Sequence, residues 1–169
     1  MIFVGKAPYR ISLLGGGSDL DWFVKDNNYG TCFGYSLEKF SYSVLNILPT
    51  AASKGILEYS TREDYSSINE IVHPIVREVL ADLKIPKFIE LKTFGFASGG
   101  SGLGGSASFM ISLIASLSKA FDINISNDDI VKKACYLEIN KLNKPIGKQD
   151  QYLCGNHGLN SFNFYSDNS

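Results

Sequence analysis

Residues that could bind phosphate are concentrated in one glycine- and serine-rich loop, at residues 96–108. Glycines let a backbone take left-handed turns and approach a ligand closely. The loop runs directly into an apolar segment with helical spacing, which ends near Phe121. A helix N-terminus presents unpaired N–H groups and a partial positive charge. The loop therefore predicts an anion site, with phosphate as the first candidate. A flexible turn before a core helix is the alternative interpretation.

This loop does not match two common nucleotide-binding signatures. No Lys follows its glycines, so it is not a P-loop of the G-x-x-x-x-G-K-[ST] type. The first strand of the chain lies far upstream, and no acidic residue stands at the expected distance after a second strand, which argues against a dinucleotide-binding fingerprint. Other segments must therefore decide what the loop binds.

A carboxylate that could hold a metal ion lies on the apolar face of a predicted helix. Glu138 shares this face through i, i+4, i+7 and i+11 spacing with Val131, Cys135 and Leu142. A buried carboxylate must be paired, hydrogen-bonded or bound to a cation, because its desolvation is expensive. Two interpretations follow: Glu138 belongs to a cation site, or it lies at the edge of the helix and pairs with Lys141 or Lys144.

Two further polar clusters lie beside glycine turns. Near the N-terminus a predicted strand carries Arg10, and the turn at residues 15–17 then presents Ser18 and Asp19. Further along, a break that contains Pro and Gly precedes Gln149-Asp150-Gln151, whose apolar neighbours draw it inward. An inward-facing carboxylate such as Asp150 could accept a proton from a substrate.

The elements that position these residues can be predicted from periodicity and turn signals. Strands are expected at residues 2–5, 9–14, 29–37, 40–48, 56–60, 88–94 and 158–165, with 29–37 and 40–48 forming a hairpin broken near Glu38-Lys39. Helical segments are expected at 20–26, 69–83, from the glycine loop to about 121, and after a capping signature at 126–129. Pro74 predicts either a kink or a helix that begins there.

Composition limits the classes of function. With 169 residues, 44% of them hydrophobic, the chain can bury a core and is expected to form one domain. A net charge of −1 gives no electrostatic footprint for nucleic acid or an anionic membrane, and no apolar run is long enough to span a bilayer. Cys32, Cys135 and Cys154 lack metal-type spacing and are expected to be reduced core thiols. We therefore expect a cytoplasmic protein.

Three features together resemble the superfamily of galactokinase, homoserine kinase, mevalonate kinase and phosphomevalonate kinase (GHMP kinases). They are the glycine-rich loop, Arg10 with the following Gly-Gly-Gly-Ser-Asp turn, and Glu138 followed twelve residues later by Asp150. The segments at residues 7–19 and 147–152 are most similar to those of heptose 7-phosphate kinases and related sugar-1-kinases. This resemblance covers residues 1 to about 165. It implies an α+β fold like that of ribosomal protein S5 domain 2, a mixed sheet with helices packed on one side. It also implies that residues 1–169 form one N-terminal, ATP-binding domain, whose C-terminal GHMP partner domain is absent from this chain.

The resemblance further implies ATP- and Mg²⁺-dependent transfer of a phosphoryl group to a sugar or sugar-phosphate hydroxyl, with the anomeric position favoured. Asp150 would be the general base and Arg10 the cation beside the transferring phosphoryl, while Ser106 and Glu138 would hold Mg²⁺. The implied ATP-binding positions are Gly99, Gly100, Ser101, Gly102, Leu103, Gly104, Gly105, Ser106 and Ala107. The implied substrate-binding positions are Arg10, Gly16, Gly17, Ser18, Asp19 and Asp150.

Departures from the family pattern keep other functions open. Asp21 stands where relatives commonly have Pro, which leaves the sugar open, and Gly105 and Ala107 replace hydroxyl residues that often flank position 106. Members are usually about twice as long as this chain. One alternative is a non-catalytic half-domain that binds nucleotide or sugar phosphate and needs a complementing C-terminal half or a homo-oligomer. A purely structural domain, in which the glycine loop only turns the chain, is another.

Overall fold

One mixed sheet of six strands organises the computed structural model, which describes residues 1–97 and 100–166. The strands are β1 (Ile2–Leu14), β2 (Tyr29–Ile47), β3 (Gly55–Glu58), β4 (Arg62–Tyr65), β5 (Ile89–Gly95) and β6 (Leu159–Tyr165). The helices are α1 (Asp21–Asn27), α2 (Pro74–Asp82), α3 (Gly105–Ala120), α4 (Asn127–Tyr136) and α5 (Gln149–Gly155). A 3₁₀ turn (Ile68–Glu70) precedes α2, and a π-helical segment (Leu137–Lys141) follows α4. The predicted α+β class is confirmed.

Strand β2 is the centre of the sheet. Its N-terminal half pairs with β6 and its C-terminal half with β5, while β1 runs antiparallel along nearly its whole length. The sheet order is β1-β2-β5-β3-β4, in which β3 and β5 are the parallel pair. Because β1 and β2 are both long, residues near either end of β1 are held in one rigid frame.

The helices cover one face of this sheet. Exposure alternates over the first part of β1, where Gly5 and Ala7 are buried and Val4 and Lys6 are exposed, whereas residues 7–10 are all buried. Helix α3 crosses the buried face, where Ser108 Oγ donates a hydrogen bond to the Ala7 carbonyl at 2.8 Å. The fully buried core side chains of α3 are Met110, Leu113, Ile114 and Leu117. The N-terminus of α3 is thereby fixed against β1.

Two sequence predictions about the long strands are wrong. The segments 2–5 and 9–14 form one strand, β1, and the segments 29–37 and 40–48 form one strand, β2, rather than a hairpin. Across β1 the pairing changes from Pro8 opposite Phe40 to Arg10 opposite Ser36. The polar break at residues 38–39 therefore belongs to a β-bulge, in which extra residues bend a strand without ending it.

Helix starts follow the capping signals. Helix α2 begins with Pro74 as its first residue, and His73 Nδ1 accepts a hydrogen bond from the Val76 N–H at 3.5 Å. This confirms the second of the two predictions for Pro74. Ser126 caps α4 by accepting from the Asp129 N–H at 3.1 Å, as its capping signature predicts. Within the described residues, every helix is too short or too polar to cross a membrane.

Candidate active site

Three glycines turn the chain between β5 and α3. Gly100, Gly102 and Gly104 have φ values of 80°, 71° and 73°, in the left-handed region that favours glycine. A Cβ on Gly104 would lie 2.9 Å from Arg10 Cγ and 3.1 Å from Cys154 Sγ, whereas one on Gly102 would meet nothing within 4 Å. The loop therefore needs glycine at position 104 for both conformation and space. The predicted loop residue Gly99 lies outside the described residues.

Arg10 connects this loop to the start of α5. Its Nη2 lies 2.6 Å and its Nε 2.9 Å from Asp150 Oδ1, and its Nη1 donates to the Gly102 carbonyl at 2.7 Å. Its backbone N–H also donates to the Leu103 carbonyl at 3.0 Å. The Arg10 side chain is 10% exposed and that of Asp150 is 31% exposed. The structure thus brings together two residues that are 140 positions apart, with the carboxylate as the more accessible partner.

A second ion pair, between Lys144 and Glu138, contacts the chain at Ser106, four residues beyond Gly102. Ser106 Oγ donates to Glu138 Oε1, and Lys144 Nζ lies 2.6 Å from Ser106 Oγ and 2.7 Å from Glu138 Oε1. Gln151 Nε2 donates to the other carboxylate oxygen, Oε2, at 2.5 Å. Glu138 is 1% exposed. The sequence left open whether Glu138 lies at the edge of its helix. In the structure the carboxylate is buried, and of the two lysines considered as partners it pairs with Lys144.

The π-helical segment helps to determine which lysine reaches Glu138. A π-helical turn includes more residues than an α-helical turn and is often found at functional sites. Here it follows α4 directly, and its end is closed by a hydrogen bond from the Lys144 N–H to the Glu138 carbonyl at 3.1 Å. Lys141 instead lies over the Tyr136 ring, 5.7 Å from the centroid. The segment therefore directs Lys144, rather than Lys141, back to the carboxylate.

The turn after β1 is also held against α5. Asp19 is 2% exposed and accepts hydrogen bonds from the Gln149 N–H at 2.8 Å and the Gly17 N–H at 3.2 Å. A side chain at Gly147 would collide with the Asp19 carboxylate. Ser18 Oγ donates to the Gly15 and Thr31 carbonyls at 2.7 and 2.8 Å. Thus the turn with Gly16, Gly17, Ser18 and Asp19 lies at the helix that carries Asp150.

A cavity of about 420 Å³ opens beside the glycine loop. Its lining includes Tyr59, His73, Phe94, Gly102, Ser106 and Phe109. The His73 ring lies edge-on to Tyr59 and to Phe109, at centroid distances of 4.7 and 5.4 Å. Burial lowers the pKa of His73, Glu63 opposes this effect, and the charge of Lys144 adds to it. His73 is the N-cap of α2. Sequence reasoning did not find this cavity, because its walls come from segments far apart in the chain.

The three thiols are free and buried, as predicted. Burial, together with the Asp19 carboxylate, raises the pKa of Cys32 to about 11. Burial raises the pKa of Cys135 to about 12 and that of Cys154 further. Since a thiolate is the reactive form, these cysteines are inert packing residues rather than nucleophiles.

The chain resembles known kinases in sequence and in structure. Residues 70–158 match the family described as the GHMP kinases N terminal domain. The D-glycero-alpha-D-manno-heptose 7-phosphate kinase of Campylobacter jejuni is 25% identical over 172 residues, which cover 96% of this chain and 50% of that protein. The chain therefore spans about half the length of this curated relative.

Solved structures share the fold. A D-glycero-D-manno-heptose 1-phosphate kinase from Bacteroides thetaiotaomicron superposes with a TM-score of 0.87 at 22% identity, covering 100% of this chain and 58% of that one. Lactococcus lactis galactokinase, in complex with galactose, superposes with a TM-score of 0.74 at 21% identity, over 92% of this chain and 42% of that one. The match to the family covers more than half of the residues, so the chain belongs to the GHMP kinase family.

Proposed function

We propose that this chain forms the ATP- and Mg²⁺-binding part of a kinase that phosphorylates a hydroxyl group of a sugar or sugar phosphate. The observation that carries the proposal is the convergence of two carboxylates on one glycine loop. Asp150 reaches the loop through Arg10 and the Gly102 carbonyl, and Glu138 reaches it through Ser106. Phosphoryl transfer depends on positioning and charge neutralisation at adjacent points, and this arrangement supplies both.

The loop and the first turn of α3 supply the phosphate site. Gly104 caps this 16-residue helix without a side-chain hydrogen bond, so the first N–H groups of α3 are available to an anion. Residues 100–107 would follow the phosphate chain of the nucleotide. The cavity beside them, with its aromatic walls, has the size of a small-molecule pocket and would accept the nucleoside.

Ser106 and Glu138 have the donor atoms that suit Mg²⁺. This ion prefers oxygen ligands, takes one or two carboxylates from the protein, and completes its shell with water and substrate phosphates. Within the described residues no group of three or more His, Cys, Asp or Glu side chains could hold a metal ion, so an all-protein cage is not present there. Gln151 Oε1 is buried beside this site and has no hydrogen-bond partner among the described residues. When bound, Mg²⁺ would neutralise charge on the nucleotide phosphates.

Asp150 would accept the proton of the sugar hydroxyl. Its side chain is 31% exposed, whereas the guanidinium that fixes it is 10% exposed. A general base must come within hydrogen-bond reach of the proton it removes. Arg10 would hold Asp150 in place and present positive charge to the transferring phosphoryl group.

The turn at Gly16, Gly17, Ser18 and Asp19 would contact the sugar, because the hydrogen bond from Gln149 to Asp19 holds it at the start of α5. The Campylobacter and Bacteroides proteins are named as kinases of heptose phosphates, which favours a heptose phosphate as substrate. The family resemblance of the sequence favours phosphorylation at the anomeric oxygen. Three inert buried thiols are compatible with a reducing, cytoplasmic environment.

A second candidate function is a domain that binds nucleotide or sugar phosphate without turning it over. The chain covers about half of the Campylobacter relative, and a site built from both halves of such a protein would bind ligands on this half alone without turnover. The test pairs two measurements on one sample: calorimetric titration with a non-hydrolysable ATP analogue and Mg²⁺, and a phosphoryl-transfer assay against sugars and sugar phosphates. Binding with transfer supports the kinase. Binding without transfer supports a half-domain that needs a complementing half, and absence of binding contradicts both.

A further inference from the structure

Lys144 contacts the two oxygen atoms that are proposed to hold a divalent cation, Glu138 Oε1 and Ser106 Oγ. Its ammonium nitrogen lies 2.7 Å from Glu138 Oε1 and 2.6 Å from Ser106 Oγ. Since Ser106 also donates to Oε1, the three groups form a closed triangle of hydrogen bonds. A cation is therefore already bound to this pair of oxygens, and it belongs to the chain itself.

Burial explains why Glu138 needs this partner. Its carboxylate is 1% exposed, and an unpaired charge at such a position is strongly destabilising. Gln151 and Ser106 contribute hydrogen bonds but no charge. Lys144 lies within ion-pair distance of Glu138. In the absence of a metal ion, Lys144 therefore supplies the charge that keeps the carboxylate buried.

Unlike Glu138, Lys144 can move its charged group out of the site and into solvent. Its side chain is 32% exposed, and it lies on the connection between the π-helical segment and α5. A Lys side chain has four rotatable carbons and a strongly hydrated head, so its ammonium can move into solvent while the backbone stays in place. Departure of this ammonium would open one position at Glu138 Oε1 and one at Ser106 Oγ, where it is now bound.

A metal ion and the ammonium cannot share these atoms, because two cations at one oxygen pair repel each other. We infer that Lys144 is an exchangeable counter-ion: it holds the Ser106–Glu138 pair in the cation-free chain and is displaced when a divalent cation binds. This inference rests on the proposed metal site. It adds that Lys144 competes with the metal and thereby lowers the affinity of the site when no nucleotide is bound.

Binding of Mn²⁺ alone, followed by electron paramagnetic resonance, tests the competition. The proteins are the full 169-residue chain, its Lys144→Met variant and a matched Lys141→Met variant, whose lysine lies over Tyr136 instead. We expect Lys144→Met to bind Mn²⁺ about tenfold or more tightly than the unchanged chain, which reflects loss of a competing charged hydrogen bond. Lys141→Met should match the unchanged chain. Lys144→Gln, which keeps a hydrogen-bond donor without charge, serves if the Met variant does not fold.

The outcomes separate this inference from the proposed function. Equal or weaker Mn²⁺ binding by the Lys144 variants overturns the exchange but leaves the metal site intact. If none of the proteins binds Mn²⁺, both the exchange and the proposed metal site are wrong. A tighter Lys141→Met variant would mean that general surface charge, rather than contact with Glu138, sets the affinity, and it would also overturn the inference.

A second measurement needs no variant. In the cation-free chain the Lys144 amine is held in two hydrogen bonds, so an acylating reagent should modify it slowly. We expect Mg²⁺ to raise the rate at Lys144 severalfold, as mapped by peptide mass spectrometry, with no change at Lys119, which is exposed in the last turn of α3. An unchanged rate at Lys144 in saturating Mg²⁺ would overturn the exchange.

Discussion

Two ion pairs lie at the start of α3, and they differ in which partner, the cation or the carboxylate, is exposed to solvent. In the Arg10–Asp150 pair the cation is 10% exposed and the carboxylate 31%. In the Lys144–Glu138 pair the carboxylate is 1% exposed and the cation 32%. Each pair therefore has one partner fixed in the protein and one that solvent can reach, but the fixed partner is the cation in one pair and the carboxylate in the other.

This reversal matches two different tasks. A carboxylate that accepts a substrate proton must be reachable, while the cation that orients it can remain buried. A carboxylate that holds a metal ion can stay buried if its counter-ion is exchangeable. The comparison thus predicts that Asp150 affects the chemical step and that Glu138 affects cation binding.

Removal of the reachable carboxylate should have the largest effect. We expect Asp150→Asn to lower turnover roughly 10²- to 10⁴-fold, because a positioned general base contributes this much. The asparagine can still accept a hydrogen bond from Arg10, so the variant should fold, with a lower melting temperature because the largely buried guanidinium loses its charged partner. Steady-state kinetics on an active protein that contains this domain, together with thermal unfolding, provides the measurement. Asp128→Asn, in the exposed first turn of α4, is the control. A rate within threefold of the control would remove Asp150 from its role.

Neutralisation of the buried carboxylate should have a smaller and different effect. We expect Glu138→Gln to weaken Mg²⁺-dependent binding of a non-hydrolysable ATP analogue about tenfold or more, because an amide oxygen lacks the charge that Mg²⁺ prefers. Binding without Mg²⁺ should change little, which distinguishes loss of the cation from damage to the loop. Calorimetric titration in the presence and absence of Mg²⁺ measures both. Equal weakening under the two conditions would contradict a metal role for Glu138.

The sequence identified the two carboxylates by different means. Helical spacing placed Glu138 on an apolar face, which follows from local physics, but left open whether the carboxylate is buried or lies at the edge of the helix. It could not choose between Lys141 and Lys144, because both lie within reach on the chain and the π-helical segment decides between them. The pairing of Arg10 with Asp150 spans 140 residues, and family resemblance rather than any local pattern implied it.

Long-range register likewise limited the prediction of the fold. Val, Ile, Tyr and Phe content located nearly every strand, but the two predicted halves of β2 are one strand because β1 pairs across the bulge between them. No local pattern predicts helix α5, because its start depends on a distant residue: Asp19 accepts a hydrogen bond from the Gln149 N–H, 130 positions along the chain. Such contacts leave no periodic signal in the segment that they stabilise.

The fixed position of Arg10 can be tested through the glycine loop. Gly104→Ala and Gly102→Ala both place a Cβ at a left-handed φ, which costs about 1–2 kcal/mol. At Gly104 the new atom also meets Arg10 and Cys154, so we expect an additional loss of about 1–3 kcal/mol from overpacking. Urea unfolding of the two variants measures the difference. If they are equally stable, packing against the loop does not hold Arg10, and the ion pair itself must do so.

The smallest effect concerns His73, whose pKa is lowered by burial and also by the charge of Lys144. Burial lowers the pKa of His73, and the lysine lowers it further, so the unfolded chain binds this proton more readily than the folded chain. Stability is therefore complete above the unfolded value of 6.5 and decreases as the pH falls below it. Protonation would also remove the acceptor that caps α2.

His73→Asn keeps a capping acceptor but removes the titration. We expect this variant to lose less stability than the unchanged chain between pH 7 and pH 5, with a difference below about 1 kcal/mol, since His73 is half-buried. Urea unfolding at several pH values measures it, and His157→Asn, at the exposed histidine, is the control. If the two variants have the same pH dependence, the cavity does not disfavour a charged His73. Lys144 would then bind Glu138 and Ser106 without lowering the pKa of His73.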